Sequence, residues 1–265
     1  MTRRSQVCGA IVAMTAVAAL WTDALSAERP EAMTWKVDGQ ARQAIVYPSS
    51  VAVGRSAPLV LSFHGHGDNA QNFQYTGLHG AWPEAIVIYF QGLPSPRDGL
   101  FGWQVEAGLD GDRDLKLVDA ALASLRKTFK VDDARIYSTG FSNGANFTYL
   151  LWAERPAVFA AFAPVAGRLR PSVQPTRPKP LLHIGGVQDA QILFADQRDA
   201  IDTAKRVDGV TGAGTSCGGG CTLFASPGGT PVMTWIHSGG HEYPDGTSER
   251  IVQFFRDHPM DAVKR

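Results

Sequence analysis

The stretch that decides the fold covers residues 135–152 and reads RIYSTGFSNGANFTYLLW. Residues 135–139 predict a strand, and residues 143–152 predict a helix that ends before Pro156. Between them lies GFSNG at positions 140–144, with a glycine two residues before and two residues after the serine. Close packing around so tight a connection leaves little room for side chains at the two glycine positions. The pattern therefore predicts Ser142 at the tip of a sharp strand-to-helix turn.

A serine at such a turn has the surroundings of a catalytic nucleophile. The turn lifts the hydroxyl above the sheet, and the helix N-terminus offers backbone N–H groups and a positive dipole end to an oxyanion. A serine alone is a weak nucleophile near neutral pH, so it requires a base, and the base requires an orienting acid. A glycine-rich turn with an incidental serine is the alternative interpretation.

Two downstream loops supply candidates for the base and the acid. His241 follows the last predicted strand in the sequence SGGHE, and we predict that it is the base, with His237 at the end of that strand as the alternative. Asp189 lies just past another predicted strand, where it would hold the His241 tautomer and stabilise the imidazolium. Asp196 is the alternative acid, although it falls within a predicted helix.

A His-Gly turn upstream offers the second part of an oxyanion hole. Residues 59–63 form an apolar run that leads into HGHGD at positions 64–68. We predict that the backbone N–H groups of His66 and Asn143 bind the oxyanion. A metal site at His64 and His66 is the alternative, but no carboxylate or cysteine partner is evident. We therefore expect no metal at this turn.

Apolar runs of strand length alternate with helical patterns along the rest of the chain. This order predicts an α/β fold with a mostly parallel central sheet flanked by helices, in a single domain over residues 28–265. Segments 168–180 and 209–220 read as loops because they are rich in Pro and Arg or in Gly, Thr and Ser. The further predicted strands cover residues 44–47, 59–63, 85–90, 159–165, 180–184 and 231–236, and the further helices cover residues 115–129 and 248–255.

The N-terminal segment has the layout of a secretory signal peptide. Arg3 and Arg4 precede an apolar run at residues 10–21, and small residues end the segment, so we predict a signal peptide over residues 1–27. A membrane anchor or a buried helix is the alternative. Export would favour a disulfide between Cys217 and Cys221 in CGGGC, with a metal site as the weaker reading. The formal net charge of zero gives no electrostatic support for nucleic-acid binding.

Together these motifs resemble the secreted esterases that include polyhydroxybutyrate depolymerases and feruloyl and acetylxylan esterases. The resemblance runs from about residue 59 to residue 255 and is carried by HG at 64–65, GFSNGA at 140–145, FAAFAPVAG at 159–167 and GGH at 239–241. It implies the α/β-hydrolase fold, the triad Ser142, Asp189 and His241, and extracellular ester hydrolysis without a cofactor. The chain departs from the family at His66, where cysteine is frequent, and at residues 190–194 after the acid.

The sequence thus predicts a serine esterase that is exported to the periplasm or the medium and is not membrane-bound after cleavage. Its expected substrates are small or oligomeric esters of plant-cell-wall carbohydrate or polyester. Trp103 lies in a loop where its ring would stack on a substrate, with packing in the core as the equal alternative. A serine peptidase of the same fold and a non-catalytic binding protein are the rival functions.

Overall fold

The structure is a computed structural model that describes residues 29–51 and 54–260. The predicted signal peptide, residues 1–27, lies outside the described residues. The strands are β1 (Glu31–Val37), β2 (Gln40–Tyr47), β3 (Ala57–Phe63), β4 (Ile86–Phe90), β5 (Leu93–Pro94), β6 (Phe101–Gly102), β7 (Val131–Phe141), β8 (Ala161–Val165), β9 (Leu181–Gly186), β10 (Thr215–Gly218), β11 (Cys221–Phe224) and β12 (Val232–His237). The α-helices are α1 (Ala70–Phe73), α2 (Leu78–Ala81), α3 (Arg113–Thr128), α4 (Asn143–Glu154), α5 (Phe194–Val207) and α6 (Thr247–Asp257).

A ten-stranded sheet forms the centre, in the order β1-β2-β4-β3-β7-β8-β9-β12-β11-β10. The strands from β4 to β12 in that order run parallel. The two strands at each end pair antiparallel. Loops that leave the carboxyl ends of β3, β7, β9 and β12 therefore meet at one edge of the sheet, which is where ligands bind in open α/β folds.

Helices cover both faces because the central strands are apolar on both sides. In β3, Leu59, Leu61 and Phe63 pack with α3, α4 and α5, while Val60 packs on the opposite face with α1, α2 and α6. This alternation follows the two-residue period of a strand. The prediction of an α/β fold with a mostly parallel sheet flanked by helices is confirmed.

The edges of the sheet differ from the prediction. The prediction of a loop over residues 209–220 is wrong in part, because Thr215–Gly218 forms β10 and pairs with β11. β10 is exposed along its whole length, so no apolar pattern reveals it. The disulfide between Cys217 and Cys221 is confirmed and closes this hairpin. Strand β1 was not predicted, whereas residues 168–180 carry no regular structure, as expected.

No helix within residues 29–51 and 54–260 is both long and apolar enough to cross a bilayer.

Candidate active site

Ser142 occupies a strained position between β7 and α4. Its backbone has φ 55° and ψ −113°, outside the regions that a non-glycine residue ordinarily adopts. The Ser142 N–H donates to the carbonyl of Val165 at 2.9 Å, which pins the turn to β8. Such strain is found where surrounding structure fixes the backbone for a function.

Two glycines allow the turn to be this sharp. A Cβ on Gly144 would overlap the carbonyl group of Phe63 at the end of β3, and a Cβ on Gly140 would lie 2.9 Å from the same carbonyl oxygen. No side chain fits at either position, so α4 begins directly against the carboxyl ends of the parallel strands. This packing aims the N-terminus of α4 at the space in front of Ser142.

The structure brings Ser142, His241 and Asp189 into one hydrogen-bonded line. His241 Nε2 lies 2.8 Å from Ser142 Oγ, and His241 Nδ1 lies 2.8 Å from Asp189 Oδ2. The carboxylate only accepts, so Nδ1 carries the proton and Nε2 is free to accept from the serine hydroxyl. The side chain of Asp189 is fully buried and that of His241 is 8% exposed.

The alternative residues lie elsewhere. His237 Nδ1 accepts from the Gly239 N–H at 3.1 Å and lies 3.4 Å from Glu242 Oε1. Asp196 pairs with Arg168 at 2.8 Å. Neither alternative takes part in the line that ends at Ser142.

The loops that carry the acid and the base are bonded to each other through their backbones. The Val187 N–H donates to the carbonyl of His237, and the Gln188 N–H donates to the carbonyl of Gly239, each at 3.0 Å. Because β9 and β12 are also neighbours in the sheet, the aspartate and the histidine are held as one unit.

Asp189 is held by three groups besides His241. Its Oδ1 accepts from the backbone N–H groups of Gln191 at 2.9 Å and Ile192 at 2.8 Å. Its Oδ2 also accepts from Gln197 Nε2 at 3.0 Å. These donors fix the carboxylate in the orientation that faces the imidazole.

Gln197 extends this network into the core. Its Oε1 lies 3.1 Å from His183 Nε2, and His183 Nδ1 lies 2.7 Å from the Tyr149 hydroxyl. Since Gln197 donates to Asp189, its oxygen must face His183, which therefore carries its proton on Nε2 and accepts from Tyr149. Burial lowers the pKa of His183 to about 4, so this ring stays neutral at ordinary pH.

Sequence reasoning missed Gln197, His183 and Tyr149 as parts of the site. All three are buried, and one signal was available, because His183 interrupts an otherwise apolar run in β9. A buried polar side chain requires a partner, so a histidine there indicates a polar network.

The His-Gly loop after β3 lies against the serine. A Cβ on Gly65 would sit 3.6 Å from Ser142 Cβ, so the loop at Gly65 lies close to the Ser142 side chain. Asn143 is the first residue of α4, where backbone N–H groups have no partner within the helix. Its side chain accepts from the Trp103 N–H at 2.7 Å and donates to the Trp103 carbonyl at 3.1 Å, which fixes the neighbouring loop.

Trp103 is a core residue as well as a wall of the site. Its indole is stacked on Phe147 at 5.7 Å, Nε1 donates to the carbonyl of His64 at 2.9 Å, and the residue is 5% exposed. Of the two alternatives that the sequence left open, packing in the core describes the indole, and the residue also borders the cavity beside Ser142.

His64 and His66 have separate partners. His64 Nε2 accepts from the Gly92 N–H at 3.0 Å, so Nδ1 donates to the carbonyl of Gly65 at 2.7 Å. His66 Nε2 lies 2.9 Å from Asp98. Within the described part of the chain, no group of three or more His, Cys, Asp or Glu side chains is placed to hold a metal ion.

A cavity of about 430 Å³ opens in front of Ser142. Its walls come from the loop around β6, the start of α4, and the segments that follow β8 and Asp189. The lining includes His66, Trp103, Ser142, Asn143, Gln191 and Ile192. The three-residue line and this cavity, at the carboxyl edge of a parallel sheet, define an α/β hydrolase.

Comparison with known proteins agrees with this class. No protein-family model matches the chain. It is 30% identical over 245 residues to NocK of Nocardia uniformis subsp. tsuyamanensis, which is named as an esterase; the match covers 76% of this chain and 69% of that one. It is 32% identical over 159 residues to the bifunctional acetylxylan esterase/xylanase XynS20E of Neocallimastix patriciarum. That match covers 57% of this chain and only 22% of the relative.

A third relative and a solved structure extend the comparison. The chain is 28% identical over 116 residues to poly(3-hydroxyalkanoate) depolymerase C of Paucimonas lemoignei, across 42% of this chain and 28% of that protein. An acetyl xylan esterase from Aspergillus awamori has the same fold, with a TM-score of 0.67 at 15% identity over 86% of this chain and 99% of the other. The chain belongs to the esterase group of the α/β hydrolases.

Proposed function

We propose that the protein is an exported serine esterase that hydrolyses carboxylic esters through an acyl-enzyme on Ser142. The observation that carries the proposal is the line from Asp189 through His241 to Ser142 Oγ, with 2.8 Å at each of its two contacts. A serine activated in this way attacks acyl carbonyls.

The first half of the reaction acylates the serine. Ser142 Oγ attacks the ester carbonyl carbon while His241 Nε2 takes the hydroxyl proton. The tetrahedral oxyanion then collapses, His241 returns the proton to the leaving alcohol, and the acyl group remains on Ser142. Asp189 stays ionised and stabilises the imidazolium in both steps.

The second half of the reaction uses water. His241 removes a proton from a water molecule, whose oxygen attacks the acyl carbonyl. The new tetrahedral species releases the carboxylic acid and restores the serine hydroxyl. We assign the backbone N–H groups of His66 and Asn143 to both oxyanions, since the loop next to Gly65 and the first turn of α4 border the cavity beside Ser142.

Esters of carbohydrate or of hydroxyalkanoate oligomers are the proposed substrates, because relatives bear the names acetylxylan esterase and poly(3-hydroxyalkanoate) depolymerase. Export through a signal peptide at residues 1–27, which would leave one catalytic domain over residues 28–265, fits the Cys217–Cys221 disulfide. The N-terminal sequence of protein recovered outside the cytoplasm tests this part.

The test of catalysis is hydrolysis of p-nitrophenyl acetate and butyrate, methyl ferulate, acetylated xylan and a hydroxybutyrate oligomer. We expect Ser142→Ala to lower kcat/KM by roughly a thousand-fold or more on every ester that the wild type accepts. Ser124→Ala on α3, which does not line the cavity, is the control and should retain full activity.

Three results would contradict the proposal. Undiminished turnover by a folded Ser142→Ala variant would exclude the acyl-enzyme. Hydrolysis of aminoacyl amides in preference to esters would favour a peptidase. Failure of Ser142 to react with an active-site phosphonate, together with no turnover, would favour a binding protein.

A further inference from the structure

Arginines concentrate around the cavity in front of Ser142. The lining contains four of them, against one aspartate, Asp110; they are Arg97, Arg113, Arg168 and Arg170. The whole chain, by contrast, has a formal net charge of zero. A cleft with an excess of one charge attracts ligands of the opposite charge, because its low-dielectric walls focus the field.

Three of these arginines have partners nearby. Arg97 lies 2.8 Å from Asp98, and Arg168 lies 2.8 Å from Asp196. Arg113 Nη1 donates to the carbonyl of Pro94 at 3.0 Å, and Asp110 lies 3.8 Å away. Their charges are therefore largely offset within the protein.

Arg170 differs from the other three. The other three each form an ion pair with an aspartate, whereas no carboxylate among the described residues pairs with Arg170. Its Nε, like those of Arg113 and Arg168, is buried without a hydrogen-bond partner. It also borders a second cavity of about 460 Å³ beside α5, whose lining includes Asp196 and Asp199, although neither forms an ion pair with Arg170. The terminal nitrogens of Arg170 are not among the buried unpartnered atoms and make no hydrogen bond within the described residues, so they are available to a ligand that supplies a counter-charge.

The segment that carries Arg170 is fixed relative to the serine. The Arg168 N–H donates to Asn146 Oδ1 at 2.8 Å, and the Asn146 N–H donates to the Ser142 carbonyl at 3.0 Å. The Val173 N–H donates to the Arg170 carbonyl at 2.9 Å, and Val173 is buried in the core. Arg170 is thus held at a set place along the cavity although its segment has no regular structure.

We propose that the natural substrate carries a carboxylate in addition to its ester, and that Arg170 binds this carboxylate. The proposal rests on the esterase function proposed above and names the substrate class of that site. A planar guanidinium donates two parallel hydrogen bonds to a carboxylate, which fixes orientation as well as charge. Arg170 is in this view a specificity residue that positions the ester at Ser142.

The experiment compares matched acidic and neutral esters. One pair, p-nitrophenyl hydrogen adipate and p-nitrophenyl hexanoate, varies the acyl side. The other pair, 4-acetoxybenzoate and 4-acetoxybenzamide, varies the alcohol side. The kcat/KM of each ester is measured for the wild type, Arg170→Gln, Arg170→Lys and Arg198→Gln, where Arg198 is an exposed residue of α5 outside the cavity lining.

We expect Arg170→Gln to lower kcat/KM for the acidic ester of at least one pair by roughly 10-fold to 100-fold, mainly through KM. The kcat/KM for the neutral ester of the same pair should change by less than about twofold, since the neutral ester forms no salt bridge with Arg170. Arg170→Lys should recover part of the loss, and Arg198→Gln should leave both pairs unchanged. For each ester, the kcat/KM of the variant is divided by that of the wild type, so that differences in intrinsic reactivity between the esters cancel.

The outcomes separate this proposal from the proposed function. Carboxylate binding by Arg170 is excluded, while the esterase function stands, if Arg170→Gln lowers kcat/KM equally for neutral and acidic esters. The same conclusion follows if Arg198→Gln lowers kcat/KM for the acidic esters as strongly as Arg170→Gln does. If neither ester of either pair is hydrolysed in a Ser142-dependent manner, the esterase function itself fails.

Discussion

The hydrogen bonds of Asp189 connect the triad to side chains that lie outside it. Its carboxylate accepts from His241, Gln197 and two backbone N–H groups, and Gln197 is in turn held by His183. Every proton in this buried chain has one possible position. An ordered network of this kind holds the carboxylate so that the imidazole keeps a single tautomer and orientation.

Replacing Gln197 by Leu tests this network. The variant removes one donor from Asp189 and leaves His183 Nε2 without its acceptor, so we expect kcat to fall roughly 10-fold to 100-fold with little change in KM. The control is Gln253→Leu on the exposed side of α6, which should keep full activity. The readouts are kcat, KM and urea unfolding. A normal kcat in a folded Gln197→Leu variant would show that the backbone donors alone hold Asp189.

The sequence could predict Ser142, His241 and Asp189 as candidates because each follows a strand, in an order typical of one fold. It could not predict Gln197, His183 and Tyr149, because their contacts join residues 14 and 34 positions apart in the chain, on α5, β9 and α4. Nor could it show that Arg170 lacks an ion-pair partner among the described residues. Side-chain pairing across elements depends on packing that no local pattern encodes.

The turn between β7 and α4 is the element on which the site depends. Its geometry requires that Gly144 lack a side chain, because the carbonyl of Phe63 occupies the space where a Cβ would stand. The backbone of β3 and that of α4 would have to separate to admit even one methyl group.

Gly144→Ala should therefore lower the free energy of unfolding by at least about 2 kcal/mol and reduce kcat, although alanine favours helices in general. Gly80→Ala in α2 is the matched control, since a Cβ there meets nothing within 4 Å. That substitution should be neutral or stabilise by about 0.5 kcal/mol. Urea denaturation of both variants measures the difference, and equal stabilities would contradict the close approach of β3 and α4.

Elements in the centre of the sheet were predicted better than those at its edges. Strands β3 and β4 are buried along their whole length, so their apolar runs are conspicuous. β10 owes its strand conformation to pairing with β11 and to the Cys217–Cys221 link, and its exposed Thr, Ser and Gly read as a loop. Pairing with a neighbour, rather than residue preference, determines such edges.

The stability of the whole molecule should depend on pH through Asp208. This residue follows α5, is 4% exposed, and accepts from the Lys179 N–H at 2.7 Å in the segment before β9. Burial raises the pKa of Asp208 to about 7. The folded state then keeps a proton that the unfolded chain releases near pH 4, so stability declines as the pH rises from about 4 to 7.

Asp208→Asn removes this titration. From pH 5 to pH 8, the free energy of unfolding should decrease more in the wild type than in the variant, by on the order of 2 kcal/mol. Urea unfolding of both proteins at the two pH values provides the measurement. Parallel changes in the two proteins would mean that Asp208 titrates normally in the folded state.

The backbone bonds between the loops after β9 and β12 make the site a structure of two pieces. Asp189 and His241 lie on loops that follow the adjacent strands β9 and β12 and are bonded to each other. Ser142 follows β7, which is separated from β9 by β8. The contact from Ser142 Oγ to His241 Nε2 is therefore the one hydrogen bond of the triad that joins the loop after β7 to the unit formed by the loops after β9 and β12. A shift of that unit relative to β7 would lengthen this contact and leave the hydrogen bond between His241 and Asp189 intact.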